Sequence, residues 1–254
     1  MNNTMNEYMN KIYTPEDIFA VARNEAEIQD LSNNDVYKFY MLDFILAHPE
    51  YKDLEVEWEM TIRSKDVKTA NVIPKEQLIE QLQAVKNIKW IPEDSLNYLA
   101  SMTDKITWER LISDNTIDFL KDFSLPDFEV KDDGNWNYKM KFTWAWKNSI
   151  MWEIFGLKII NTLYLYNYVK KAELSNTEFD KIIKTALWRL FDDIETFKTD
   201  PRTLFSEFWT RRSMSTDYQR MVNLILEAEL PGQYLWTSNV MMAKEMWHDR
   251  AIWA

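Results

Sequence analysis

The chain has 254 residues, 46% of them hydrophobic, and a formal net charge of −11, which is ample material for one large domain or two small ones. That charge excludes broad nucleic-acid binding, which needs a basic face to displace counterions; no apolar run approaches the ~18 residues of a membrane helix, and no basic segment followed by an apolar stretch opens the chain. With no cysteine and two histidines, His48 and His248, disulfides and thiolate or histidine-built metal sites are excluded, and a cytoplasmic protein is expected.

The glycine count is low. Three glycines, against roughly 7% in average proteins, suit poorly an enzyme that cradles phosphate on backbone loops. Either phosphate is not the ligand, or the loops that hold it lie elsewhere.

In chain order, "YTPEDIFAVARNEAEI" predicts a helix, with Thr14 as cap, Pro15 in the first turn, and Glu16 and Asp17 at the positive end of the dipole. Residues 36–47, "VYKFYMLDFILA", predict a buried helix that ends before Pro49. "LEVEWEMTIRS" alternates, with Leu54, Val56, Trp58, Met60 and Ile62 on one face and Glu55, Glu57 and Glu59 on the other, and predicts a half-buried strand. "PKEQLIEQLQAVKN" and "PEDSLNYLASM" predict short helices, each opened by proline. "DFEVKDDGNWNYKMKFTWAW" predicts a hairpin turning at "DDGN".

Residues 147–172 predict one long apolar helix, and "NTEFDKIIKTALWRLFDDIETF" predicts a second. "LFSEFWT", "STDYQRMVNLILEAEL" and "QYLWTSN" then read as strand, amphipathic helix and strand, a βαβ unit opening a parallel sheet or barrel. "TSNVMMAKE" is a strand end running into a helix, whereas "MWHDRAIWA" shows no cap and no periodic face. The implied organisation is an N-terminal extension with a short helix (1–30), an α+β domain (31–146), a helical connector (147–198), a first βαβ unit (199–245) and a tail (246–254).

Three stretches, in order, resemble the nicotinate phosphoribosyltransferase family. "NNDVYKFYM" is similar to its T-D-x-Y-K-x-x-M, and "AWKNSIMWEIFGLKIIN" to its W-E-x-P-L-L-x-x-I. "FWTRRSMS…YQRMV…LWTSNVMMAK" is similar to F-G-T-R-R-x-x-S…G-T-S-N-x-x-x-A. The resemblance covers about residues 30–245, the first half or slightly more of a family member. It implies an α+β N-terminal domain followed by the beginning of an α/β, TIM-like barrel of the type II phosphoribosyltransferase kind, here incomplete. It also implies an enzyme of NAD biosynthesis that joins nicotinate to phosphoribosyl pyrophosphate, with Mg²⁺ and with ATP acting through a phosphorylated histidine, as a homodimer with shared sites.

Carried over by position, Tyr37 resembles the ring that stacks on nicotinate from the neighbouring subunit, and Asp35 its polar companion. Read without the family, Tyr37 is one more aromatic on a buried helix. Phe208 resembles the opposite face of the stack, and Arg211 a phosphate or carboxylate ligand at a barrel strand's C-terminal end. The "RR" pair is also the best local anion site in an acidic chain, arginine's fork matching carboxylate and phosphate, or else a solvated turn. Thr237, Ser238 and Asn239 resemble the polar lining of the next strand end. Glu153 reads as a structural ion-pair partner, and His48 as a cap or surface residue.

Two departures stand out: Trp209 and Trp236 occupy positions where the family usually has glycine, so that either an indole crowds the pocket there or this branch is shaped differently. The tail departs as well. The family continues to G-T-x-(A/G)-H-E, which carries the phosphorylated histidine. Dropping the first base of the codons for "MWHDRAIWA" allows C-G-M-I-G-Q-Y-G-H-E, so the expectation is an extra base after the Glu245 codon, a shifted frame and a truncated chain. On that reading His248 is no candidate, the phosphorylatable histidine is absent, and the chain alone is inactive. The rival expectations are a half-enzyme completed by a partner polypeptide and a non-catalytic acidic interaction protein in which Tyr37, Phe208 and Arg211 do not converge.

Overall fold

The computed structural model describes residues 3–61, 66–89, 91–104 and 106–252. Helix α1 (Asn3–Asn10) is followed by α2 (Pro15–Ile18), a 3-10 turn at Ala20–Arg23, and α3 (Val36–Ala47). The helix expected from Thr14 is therefore far shorter than its pattern. Phe19 leaves helical geometry at φ −116° and ψ 118°, because Ile18 and Phe19 are both drawn into the core. Helix α3 has the predicted bounds. It exits through His48, which caps α3 and opens α4 (Pro49–Lys52), its Nδ1 lying 2.7 Å from the Phe44 carbonyl.

Strand β1 (Glu55–Met60) has its glutamates exposed and Val56, Trp58 and Met60 half-buried; Ile62 lies outside the described residues. Then come α5 (Thr69–Val72), α6 (Lys75–Lys86), α7 (Glu93–Ser101) and α8 (Asp114–Lys121). The sequence reading passed over α8, although Ser113 is a sound N-cap whose side chain accepts from the Thr116 amide. Strands β2 (Phe128–Asp132) and β3 (Tyr138–Ala145) form the expected hairpin. Gly134 in its turn has φ +78°, backbone that glycine adopts without strain.

Strands β1 and β2 both pair antiparallel to β3, aligning Trp58 with Phe142 and Phe128 with the same residue. The long apolar helix is in fact two: α9 (Trp146–Ser149) and α10 (Trp152–Lys171), separated at Ile150–Met151. That break lets Trp152 lie against the sheet, its ring stacked 4.8 Å from Phe142 and its indole N–H donating to the Pro126 carbonyl. Gly156, one turn on, allows the close approach, since a Cβ there would lie 2.7 Å from the Met60 methyl. Helix α11 (Asn176–Lys198) begins with a capping box between Ser175 and Glu178.

The last elements are β4 (Phe205–Glu207), α12 (Thr216–Glu229), β5 (Tyr234–Thr237) and α13 (Val240–Glu245). Strands β4 and β5 pair in parallel with α12 as crossover, the predicted βαβ unit. The chain is thus an α+β fold with a short parallel pair beside its antiparallel sheet. Among the described residues no helix is long and apolar enough to cross a membrane. Residues 246–252 are not featureless. The Ile252 amide donates to Thr237, and His248 is buried with its ring 4.9 Å from that of Trp236.

Candidate functional site

The carboxyl ends of β4 and β5 meet the N-terminus of α3, and a buried polar layer joins them. Segments 32–36 and 238–241 exchange backbone hydrogen bonds: the amide of Val36 donates to Ser238, Val240 to Asn34 and Met241 to Ser32. Asp35, at the N-cap of α3, accepts from the hydroxyls of Thr210 (2.6 Å) and Ser238 (2.7 Å). Asn239 donates to Asn33 and Thr210 while its carbonyl oxygen caps α13. Glu207, the last residue of β4, accepts from Thr237 (2.5 Å), Asn223 (3.2 Å), both ways from Gln219 (3.1 Å) and from the Trp209 amide. An acceptor surrounded only by donors is what an ionised carboxylate needs when buried.

Lys158 of α10 closes this layer. Its ammonium is fully buried, donates to Ser213 (2.7 Å) and Gln219 (3.1 Å), and lies 4.0 Å from Glu27. Burial pulls its pKa from 10.5 down to about 8 against the attraction of Glu27, Glu207 and Asp35, while burial pushes the Glu27 carboxyl up. The unfolded chain holds that lysine proton up to the ordinary value, so stability rises with pH between about 8 and 10.5. In urea unfolding, the wild type should gain about 2 kcal/mol between pH 8 and 10 relative to Lys158→Met. Parallel pH profiles for the two proteins would contradict the charge assignment.

A separate cleft of about 580 Å³ is lined by Trp58, Glu59, Met60, Thr61, Phe142, Glu153, Leu157, Arg211 and Arg212. One wall is the apolar face of the antiparallel sheet and the other is the loop after β4. Glu153 bridges two cations, pairing with Lys38 on one oxygen and with Arg211 at 2.7 Å on the other. Lys38 is 1% exposed whereas Glu153 and Arg211 are each 34% exposed. Burial lowers the Lys38 pKa, and the hydrogen bond it donates to Glu153 opposes the shift. Arg212 is exposed, with no ion-pair partner among the described residues.

Tyr37 is half-buried under the Lys38 ammonium, which lies 5.0 Å from its ring centre. Burial raises its pKa, Glu153 adds to that and Arg211 opposes it, so Tyr37 and Arg211 of one chain share an electrostatic neighbourhood. Phe208 is 52% exposed at the end of β4. Asp35, Thr237, Ser238 and Asn239 are all buried with polar groups engaged inside the chain, and none of them lines the cleft. The indole of Trp209 is half-exposed. That of Trp236 stacks on His248, whose Nε2 lies 3.0 Å from Glu227 and whose pKa burial lowers.

Sequence reasoning missed Glu207, Gln219 and Lys158 as members of this layer. A charged residue inside a short apolar strand and a lysine inside an apolar helix were the available signals, since such residues are almost never fully buried unless paired.

The profile of the nicotinate phosphoribosyltransferase N-terminal domain matches residues 33–161, from the loop before α3 through the cleft-lining turn of α10. The chain belongs to this family. It is also similar to the solved nicotinate phosphoribosyltransferases of Vibrio cholerae (TM-score 0.71, 21% identity, 95% of this chain and 53% of that one) and of Porphyromonas gingivalis (TM-score 0.70, 18% identity, 89% and 53%). The chain therefore spans about half the length of the structures it matches. Among the described residues no three His, Cys, Asp or Glu side chains converge as a metal site.

Proposed function

We propose that this chain is the N-terminal domain and first βαβ unit of a nicotinate phosphoribosyltransferase, and that it holds the part of the site that grips the pyridine carboxylate. The observation that carries this reading is the Arg211–Arg212 pair at the mouth of an aromatic-walled cleft, with Arg211 oriented by Glu153. In a chain of net charge −11, a local cationic fork is needed to attract an anionic ring against the global field. The flat face of Tyr37 lends itself to the neighbouring subunit's site, and Phe208, three residues before Arg211, supplies the other side of each stack. A dimer in which Tyr37 serves the neighbouring site belongs to the same reading, as do a cytoplasmic location and NAD biosynthesis.

On this reading an eight-stranded TIM-like barrel is completed by strands beyond β4 and β5, whether continuous with them or supplied by a partner. This chain alone is expected to bind nicotinate without turning it over. Titration calorimetry should show nicotinate binding that weakens at least ~10-fold in Arg211→Ala, as expected when a charged hydrogen-bond partner is lost. Nicotinamide should bind more weakly than nicotinate. Binding unaffected by Arg211→Ala would remove the basis of the reading, and formation of nicotinate mononucleotide by the isolated chain would refute the inactivity.

A further inference from the structure

Among the described residues six non-glycine residues have φ in the left-handed region, and four of them are tryptophans: Trp108 (φ +60°), Trp136 (+66°), Trp236 (+94°) and Trp247 (+60°). The other two, Asn24 and Glu173, follow a 3-10 turn and α10. Asparagine tolerates this region, but for a bulky residue it is an outlier that costs free energy and persists only where the surroundings enforce it. At three of the four tryptophans nothing comparable enforces it, whereas Trp236 is half-buried against His248. Trp108, Trp136 and Trp247 are 78%, 63% and 93% exposed, so little burial offsets the strain.

The local hydrogen bonds say which residue these backbones are built for. After α13 the His248 amide donates to Ala243 and the Trp247 amide to Lys244. That is the paired pattern of a Schellman motif, in which the residue corresponding to Trp247 is usually glycine. Trp136 follows Gly134 within one hairpin loop, and Trp108 closes a turn whose amide donates back to Asp104. A second population of tryptophans behaves as tryptophans do. Trp152 is buried, stacked and hydrogen-bonded through its indole, and Trp58 donates to Ser149. The chain has twelve tryptophans and three glycines, when average usage puts glycine near 7%.

We infer that positions 108, 136, 236 and 247 carry glycine in the polypeptide the source cell makes, written here as tryptophan because their codon is UGA. UGA is a stop in the standard code and a sense codon for tryptophan in some genomes. A cell that reads UGA as glycine would produce tryptophans read into glycine backbones beside others, such as Trp152, that pack. Trp209 does not share the left-handed backbone and is outside the assignment. Position 247 then becomes an ordinary glycine helix exit. The segment 246–252, which packs through Ala251 and the Ile252 amide, is in frame, and no inserted base is needed to explain "MWHDRAIWA". At position 236 the change removes an indole beside the buried Thr237–Asn239 segment.

The gene decides first. UGA is expected at the four positions and UGG at Trp152; UGG at all five overturns the inference. Peptide mass spectrometry of the protein isolated from its own cell should then show glycine at those four positions, and tryptophan masses there would overturn it equally. A physical arm uses the recombinant chain: Trp108→Gly, Trp136→Gly and Trp247→Gly should each raise Tm by about 2–4 °C, while Trp152→Gly should lower it sharply or prevent folding. Three exposed variants that lower Tm would count against the assignment.

Discussion

Glu207→Ala is expected to destabilise the chain by about 3–5 kcal/mol, lowering Tm by roughly 10 °C. The carboxylate is buried and accepts from Thr237, Gln219, Asn223 and the Trp209 amide. Truncation strands all of these donors without water to replace the acceptor. Because Thr237 is on β5 and Asn223 and Gln219 are on α12, the loss falls on the βαβ unit. Hydrogen exchange should report it there, with protection falling in β4 and β5 while the β1–β3–β2 sheet keeps its own. Glu207→Gln keeps the volume but turns an amide N–H₂ toward other donors, so an intermediate loss is expected. A change within 0.5 kcal/mol for Glu207→Ala would show that water reaches this layer.

Glu153→Ala should cost about 3 kcal/mol, because it leaves Lys38 a buried, unpaired cation. Arg211, with a third of its side chain exposed, can turn to solvent, so little of the loss comes from that side. The double variant Glu153→Ala/Lys38→Met should recover most of the stability, since an apolar side chain of similar length fills the space without a charge. It should not recover nicotinate binding, because Arg211 loses the carboxylate that orients it. Stability and ligand affinity measured on the same three proteins separate the two roles. A double variant no more stable than Glu153→Ala would mean that Lys38 is not the source of the cost.

Much of the architecture was legible locally. The apolar run that became α3, the alternation of β1, the hairpin around Gly134 and the strand–helix–strand unit all carry their periods within one segment. The errors also have local causes. At Phe19 burial overrode a sound helix start, and at Ile150–Met151 a continuous apolar pattern concealed the turn that brings Trp152 onto Phe142. Nothing in the periodicity of an all-apolar segment marks such a break.

The candidate site was legible in its members more than in their roles. "DVYK", "WE", "TRR" and "TSN" were each identifiable from the sequence, and the family that the first two help to define matches residues 33–161. That Asp35 bonds Ser238 across 203 residues, that Thr237 serves Glu207 and not the cleft, and that Glu153 sits between Lys38 and Arg211 could not be read from any segment. A hydroxyl or carboxylate carries the same letter whether it faces ligand or core.

The sequence by itself determined α3, the β hairpin and the closing strand–helix–strand unit, the acidic field that makes a cationic fork necessary, and the excess of tryptophan over glycine. The tertiary structure alone decided which polar side chains are spent holding the strand ends together and which remain at the cleft. It also decided which tryptophans pack and which stand in left-handed backbone. The reason is common to all of these: hydrogen-bond satisfaction and backbone handedness depend on where distant segments meet, and that is settled only when the chain closes on itself.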